Sequence, residues 1–336
     1  MIVDFCAGKP MGFRGEPPII KSIWKALLKV WKRNAIPLPL PIRTVDDSHL
    51  TSTDLYWGQH TVNSTPFKNA AASLSYLKWR SEQYPMFREL MQLYGEHEDQ
   101  IILDYGCGPG NDLVGFLVYS KAKKVIGIDV SLKSLDLAAK RLALHNIDPV
   151  RIELIRTTDS RTTIPLSADS VDYIYCGGVL HHTSCPEAIL QEFYRVLRPF
   201  SQACVMIYNR NSLWLHLYTA YDKIVLKKAF PNLSLEDAFS KNTDGEACPI
   251  SRCYAPEEFI AICKQAGFHQ SEFVGGYLSL LELSLLKDLG RNAMEDDRLA
   301  TEHREFLRRI TYDENGYPMY QGKYAGIGGV YRLFKV

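Results

Sequence analysis

Residues 102–112, ILDYGCGPGND, constrain this 336-residue chain more than any other stretch. An apolar run ends at Asp104 and then breaks into three glycines within five residues, Gly106, Gly108 and Gly110. A buried strand entering a glycine-rich turn and then a helix is the opening unit of a cofactor-binding α/β fold. The sequence downstream repeats the unit. IILDY (101–105), KKVIGIDV (123–130), VRIELIRTT (150–158), SVDYIYCGG (170–178) and SQACVMIYN (201–209) read as strands. Between them, residues 111–122, 131–146 and 185–199 read as helices, with Ser131 as N-cap of the second and Pro199 stopping the third. This alternation predicts a doubly wound α/β sheet. Beyond it come a helix and polar loop over 210–253, a helix over 255–268 and a strand over 269–278. A second helical insertion begins at 279, and a β-prone run over 325–336 closes the chain. The last two strands would bring the sheet to seven.

The expected organisation is an N-terminal helical or lid segment (1–95), a core (96–210), a substrate-cover insertion (211–253) and a C-terminal completion of the core (254–336) with its own helical insertion (279–324). In IIKSIWKALLKVWKRN (19–34), Lys21, Lys25, Lys29 and Lys32 form one helical stripe, opposite Ile20, Trp24, Leu27, Leu28 and Trp31. Docking on the domain is the commoner fate of such a helix, and peripheral contact with an anionic membrane is the alternative. A net charge of +1 argues against a nucleic-acid binder, which needs a basic face. No apolar run approaches the roughly 20 residues that span a bilayer, and the N-terminus does not resemble a signal peptide. Eight scattered cysteines, Cys6, Cys107, Cys176, Cys185, Cys204, Cys248, Cys253 and Cys263, without a CxxC pair, fit reduced thiols in a cytoplasmic protein. Cys248 and Cys253 are spaced C-x4-C with no further paired ligands beside them, so no metal site is expected.

The glycine spacing discriminates between cofactors. A dinucleotide turn needs G-x-G-x-x-G, but here G-C-G-P-G is followed by Asn111 and Asp112. Asp104 and Asp112 beside a pyrophosphate would repel it. S-adenosylmethionine (SAM) carries an α-ammonium and a sulfonium and no phosphate, so carboxylates beside it are favourable. DYGCGPGN (104–111) resembles motif I of the class I SAM-dependent methyltransferases, in the style of their small-molecule, ubiquinone/menaquinone-biosynthesis-like branch. The resemblance covers roughly residues 100–210 and extends weakly to 255–278. It implies a seven-stranded Rossmann-like methyltransferase sheet with an N-terminal helical segment and an inserted helical lid. It also implies SAM as cofactor and S-adenosylhomocysteine as product. On this resemblance Asp104, Gly106, Cys107, Gly108, Pro109, Gly110 and Asn111 form the cofactor turn. Asp129, with Val130 and Ser131, takes the ribose hydroxyls. Asp159, with Thr158 and Ser160, takes the adenine, and Gly177 and Gly178 pass under the methionine portion. Cys107 stands at a variable position and is not expected to be a nucleophile.

The rim of the sheet carries the candidate chemistry. His181 and His182 follow the fourth strand, and His182 is the preferred acceptor-facing base. Tyr208 and Asn209 end the fifth strand, where Asn209 could orient an acceptor and Arg210 hold an anionic group. Trp57 and His60 before motif I, and Arg252 and Tyr254 after the 210–253 insertion, are candidate substrate residues. The leading expectation is methylation of a small polar metabolite or sugar, with oxygen ahead of nitrogen as acceptor. The alternatives are a membrane-associated or lipid-linked acceptor, or a SAM-binding protein without catalysis. The inserted segments hold the acceptor's identity.

Overall fold

The computed structural model describes residues 40–45, 49–62 and 65–336. The basic stretch 19–34 lies outside them. Residues 40–336 form one compact unit. Its strands are β1 (Ile42–Thr44), β2 (Ile101–Tyr105), β3 (Lys124–Asp129), β4 (Ile152–Arg156), β5 (Val171–Gly177), β6 (Leu197–Asn209), β7 (Cys253–Tyr254), β8 (Gln270–Tyr277), β9 (Thr311–Tyr312), β10 (Pro318–Tyr320), β11 (Lys323–Tyr324) and β12 (Gly328–Phe334). The main sheet runs β1-β4-β3-β2-β5-β6-β12-β8, with β7 added beside β6. β12 runs antiparallel to both β6 and β8, while the other pairs of this sheet among the described residues are parallel. The seven predicted strands are all present. The two extra ones, β1 and β7, hold three and two residues, too few to leave a periodic signal.

Alternation along the strands builds two cores. Ile102 and Val125 face the helices Asn111–Val118 and Leu132–Leu144. Leu103 and Ile126 face the helices Pro186–Val196 and Pro256–Gln265. Strand order reverses between β3 and β5 around β2, which opens a crevice at the carboxyl ends of these strands.

Three local differences from the sequence reading have physical causes. The helix expected to run to Pro199 ends at Val196, and β6 starts at Leu197, because the residue before proline prefers extended backbone. Residues 279–324 are not wholly helical: helices Leu280–Glu295 and Thr301–Arg308 are followed by the small antiparallel sheet β11-β10-β9. The helix Trp214–Leu226 is π-wound, closing with Lys227 N–H donating to the Asp222 carbonyl.

Glu282 ties the C-terminal insertion to that π-helix. Its Oε1 accepts from Trp214 N (3.0 Å) and its Oε2 from Ser279 N (2.8 Å) and Ser279 Oγ (2.9 Å). Burial pushes this carboxyl up to about 7, against the pull of those donors. The folded state therefore holds the proton between the ordinary glutamate range and about 7, and the stabilisation this gives is lost as pH rises through that window. Glu282→Gln is expected to remove this dependence. Relative to wild type, the variant's unfolding free energy should gain about 3 kcal/mol between pH 4 and pH 8 in denaturant titrations. Parallel curves for the two proteins would show that Glu282 does not titrate in this range.

Candidate active site

The glycine turn closes on β3: Gly106 N and Cys107 N both donate to the Ile128 carbonyl, at 2.7 and 3.0 Å. Gly106 has φ +77°, and a Cβ there would collide with the Val179 side chain, so the position admits only glycine. Gly108 has φ +52° and open space where a Cβ would stand, so a ligand can lie against its backbone. A cleft of about 290 Å³ opens there, lined by Asp104, Gly106, Cys107, Gly108, Pro109 and Asn111 from the turn. Cys107 is buried, which pushes its thiol well up and keeps it neutral.

The acidic residues of the cleft are held differently. Asp129 Oδ2 accepts from Gly108 N and Oδ1 from Ser131 N, both at 2.8 Å. Burial lifts its carboxyl to about 6 despite those donors. Asp104 is buried and its Oδ2 has no hydrogen-bond partner. Burial first, then Asp112 and Asp129, raise its pKa well above the ordinary carboxylate value. Asp112 is neutralised by an ion pair with Arg80 and a hydrogen bond from Tyr94 Oη (2.8 Å). Burial works against the Arg80 charge, but Asp112 more than offsets it and the guanidinium pKa is raised. Arg80 lines the cleft, and its Nε is buried without a partner.

On the far wall, Asp159 lines the cleft while its two carboxylate oxygens accept from Ser184 N (2.9 Å) and Ser184 Oγ. Thr157, rather than Thr158 or Ser160, lines the cleft beside it; Thr158 and Ser160 bond to each other, and Ser160 also donates to the His49 carbonyl. The helix Ser52–Gln59 covers this wall with Thr53, Trp57 and the residue after it, His60. Its capping box pins it: Asp54 Oδ2 accepts from Thr51 N (2.8 Å), while Asp54 Oδ1 accepts from Asp159 N (2.8 Å). Asp54→Ala should loosen this cover and weaken SAM binding about tenfold by calorimetry, the size expected for one hydrogen bond to a charged group. Unchanged affinity would show that the cover does not contribute to holding the cofactor.

His182, Tyr208 and Asp244 also line the cleft. His182 Nδ1 donates to the Ile250 carbonyl (2.7 Å), leaving Nε2 as the lone pair, 3.7 Å from Asp244 Oδ1. Tyr208 Oη donates to Asp244 Oδ1 (2.7 Å) and Ser251 Oγ to Asp244 Oδ2 (2.6 Å). Burial lowers the His182 pKa, partly opposed by Asp244, so the imidazole is neutral at pH 7. The Trp57 indole packs on His182 at 4.8 Å between ring centroids.

Val130, Gly177 and Gly178 also line the cleft. Other nominated residues are set outside its lining. Gly110 packs closely on Ala138, and Ser131 caps the helix Leu132–Leu144. His181 is fully buried and stacks on Tyr208 at 3.8 Å, with no partner for either ring nitrogen; it holds the Tyr208 ring in place and faces no ligand. Asn209 spends its amide on the Asn211 and Gly326 carbonyls. Arg210 pairs with Glu258 and the Cys253 carbonyl. Arg252 stitches the insertion to the loop after β5 through Thr183 O (2.9 Å), and Tyr254 sits in β7, its ring against Phe259.

Sequence reasoning missed Arg80 and undervalued Asp244. Arg80 carried a signal, since helical spacing puts it on the same buried face as Ser73 and Leu77. Asp244 reads as a loop residue, but it ends the helix Leu235–Asp244.

Residues 102–200 match the family described as Methyltransferase domain. The chain is 28% identical over 175 residues to a ubiquinone biosynthesis O-methyltransferase of Neisseria meningitidis, 52% of this chain and 66% of that protein's length. It is 26% identical over 185 residues to the ubiquinone/menaquinone biosynthesis C-methyltransferase UbiE of Syntrophotalea carbinolica, 53% of this chain and 74% of that one. Among solved structures, the phosphoethanolamine N-methyltransferase 2 of Haemonchus contortus in complex with SAM shares the fold. Its TM-score is 0.50 at 13% identity, with 87% of this chain and 61% of that one covered. Over about half of its length the chain is similar to class I SAM-dependent methyltransferases, and residues 102–200 match the methyltransferase domain itself.

The residues present fit that cofactor. The unpartnered Asp104 Oδ2 suits an α-ammonium, the buried Arg80 Nε a carboxylate, and the open space above Gly108 an approaching ligand. Asp129 retains acceptor capacity on both oxygens for a vicinal diol.

Proposed function

We propose that the chain methylates a small polar molecule, with a hydroxyl acceptor ahead of an amine. The observation that carries this is the His182 Nε2 lone pair, beside Asp244 in the same cleft that Asp104 and Asp129 line. When bound, SAM supplies a methyl group on a positively charged sulfur. Asp104, Asp129 and Arg80 bind and orient it. Trp57 and the rest of the covering helix exclude water. His182 accepts the acceptor's proton at Nε2, and Asp244 stabilises the imidazolium that results. The curated relatives named above methylate at oxygen in one case and carbon in the other, so they leave the acceptor atom open.

The test begins with isothermal titration of SAM, S-adenosylhomocysteine and NADH. Micromolar binding of the two adenosyl compounds and none of NADH is expected. A labelled-methyl assay across polar hydroxyl and amine acceptors then follows. Preference for NADH would remove the cofactor assignment. Tight SAM binding without transfer to any hydroxyl, amine or quinol acceptor would favour a binding protein.

A further inference from the structure

The insertion brings a third donor to the His182–Asp244 pair. Cys248 lies in the loop following the helix Leu235–Asp244, with its Sγ 4.0 Å from His182 Nδ1. One ligand atom from each of His182, Asp244 and Cys248 falls within 4.8 Å of the others. His182 is buried, and Asp244 and Cys248 are half-buried. We infer that His182, Asp244 and Cys248 form a binding site for a divalent, borderline-soft cation, zinc being the best fit, at the acceptor end of the cleft.

Three features support this. Imidazole, carboxylate and thiolate together suit zinc, whereas magnesium and calcium take oxygen ligands. The His182 Nε2 to Asp244 Oδ1 separation of 3.7 Å is close to the roughly 3.4 Å between two such ligands on one tetrahedral zinc. The donors are also braced as metal ligands are. His182 gives its other ring N–H to the Ile250 carbonyl, and Asp244 is held by Tyr208 and Ser251. With three protein ligands, a fourth position remains for the methyl acceptor, because His182, Tyr208 and Asp244 line the cleft. A cation there would take the His182 Nε2 lone pair, so in the metal-loaded form it would replace His182 as the activating group: it would lower the pKa of an acceptor hydroxyl or thiol, whose proton leaves to solvent while its electron pair stays on the attacking atom. This last step rests on the methyl-transfer reading; the binding of the ion does not.

The experiment uses the full chain, loaded with zinc, dialysed and assayed for metal by mass spectrometry, with cobalt as a spectroscopic reporter. One zinc per chain is expected, with a sulfur-to-cobalt charge-transfer band in the cobalt form. Cys248→Ser should lose the band and weaken zinc binding at least about 100-fold. Ser251→Ala, which removes only a brace of Asp244, should weaken it about 10–100-fold. Cys253→Ser should retain both metal and band, since Cys253 faces Arg210. SAM titration of the same variants shows that they are folded. Zinc absent from the wild type, or retained by Cys248→Ser, overturns the site and leaves the methyl-transfer reading standing. Zinc bound without SAM binding would remove that reading and keep the site.

Discussion

Asp129→Ala is expected to raise the dissociation constant for SAM by about 10²–10⁴. The carboxylate would accept two hydroxyls of the ribose, and each such charge-assisted bond contributes about 1.5–3 kcal/mol. Two further observations make the result specific. Asp129 is already fixed by Gly108 N and Ser131 N, so its acceptor geometry exists before the ligand arrives. Its carboxyl titrates at about 6, so wild-type affinity should fall about tenfold per pH unit below that point, as the ionised acceptor is lost. Asp104, also raised, adds a dependence of the same sign. The alanine variant should lose the Asp129 part of this slope. A variant that binds SAM as wild type does would withdraw the ribose assignment. A variant that fails to bind and also unfolds at much lower denaturant would instead assign the effect to the two orphaned N–H groups.

The parts of this molecule legible in sequence were those governed by local rules. Strands β2 to β6 show themselves through apolar runs bounded by glycine and charge, and Gly106 through a turn no other residue fits. Asp129 and Asp159 follow from position at strand ends, and both line the cleft. What failed to show depends on long-range pairing. Thr157 rather than Thr158 lines the cleft because strand alternation continues past the last residue of β4. Asn209 and Arg210 sit on the right rim, but their side chains are claimed by Gly326 and Glu258, far along the chain. Arg80 meets Asp112 only once the helix Ala70–Gln83 folds against motif I. The two adjacent histidines are the sharpest case. Consecutive residues in a tight turn point in different directions, so His182 lines the cleft and His181 packs under Tyr208. Sequence could nominate the pair, but only the packing chooses between them.

That choice sets up the second large effect. His182→Ala should lower kcat by about 10²–10⁴ on a hydroxyl acceptor, the usual contribution of a positioned proton acceptor, with SAM affinity little changed. Asp244→Asn should fall in the same direction by a smaller factor, since the amide keeps one oxygen to accept from Tyr208 or Ser251 but cannot balance the imidazolium charge. If the two side chains act as one device, the double variant will be no slower than His182→Ala alone, because removing the base leaves nothing for Asp244 to stabilise. Multiplied losses in the double variant would mean two separate contributions. His181→Phe supplies the contrasting case. It replaces a ring that makes no hydrogen bond with another ring in the same stack, so turnover should stay within about threefold and the cost should appear in stability, at about 1–3 kcal/mol for a tight core exchange. A collapse of kcat in His181→Phe with stability intact would reverse the assignment and make His181, not His182, the residue that meets the acceptor.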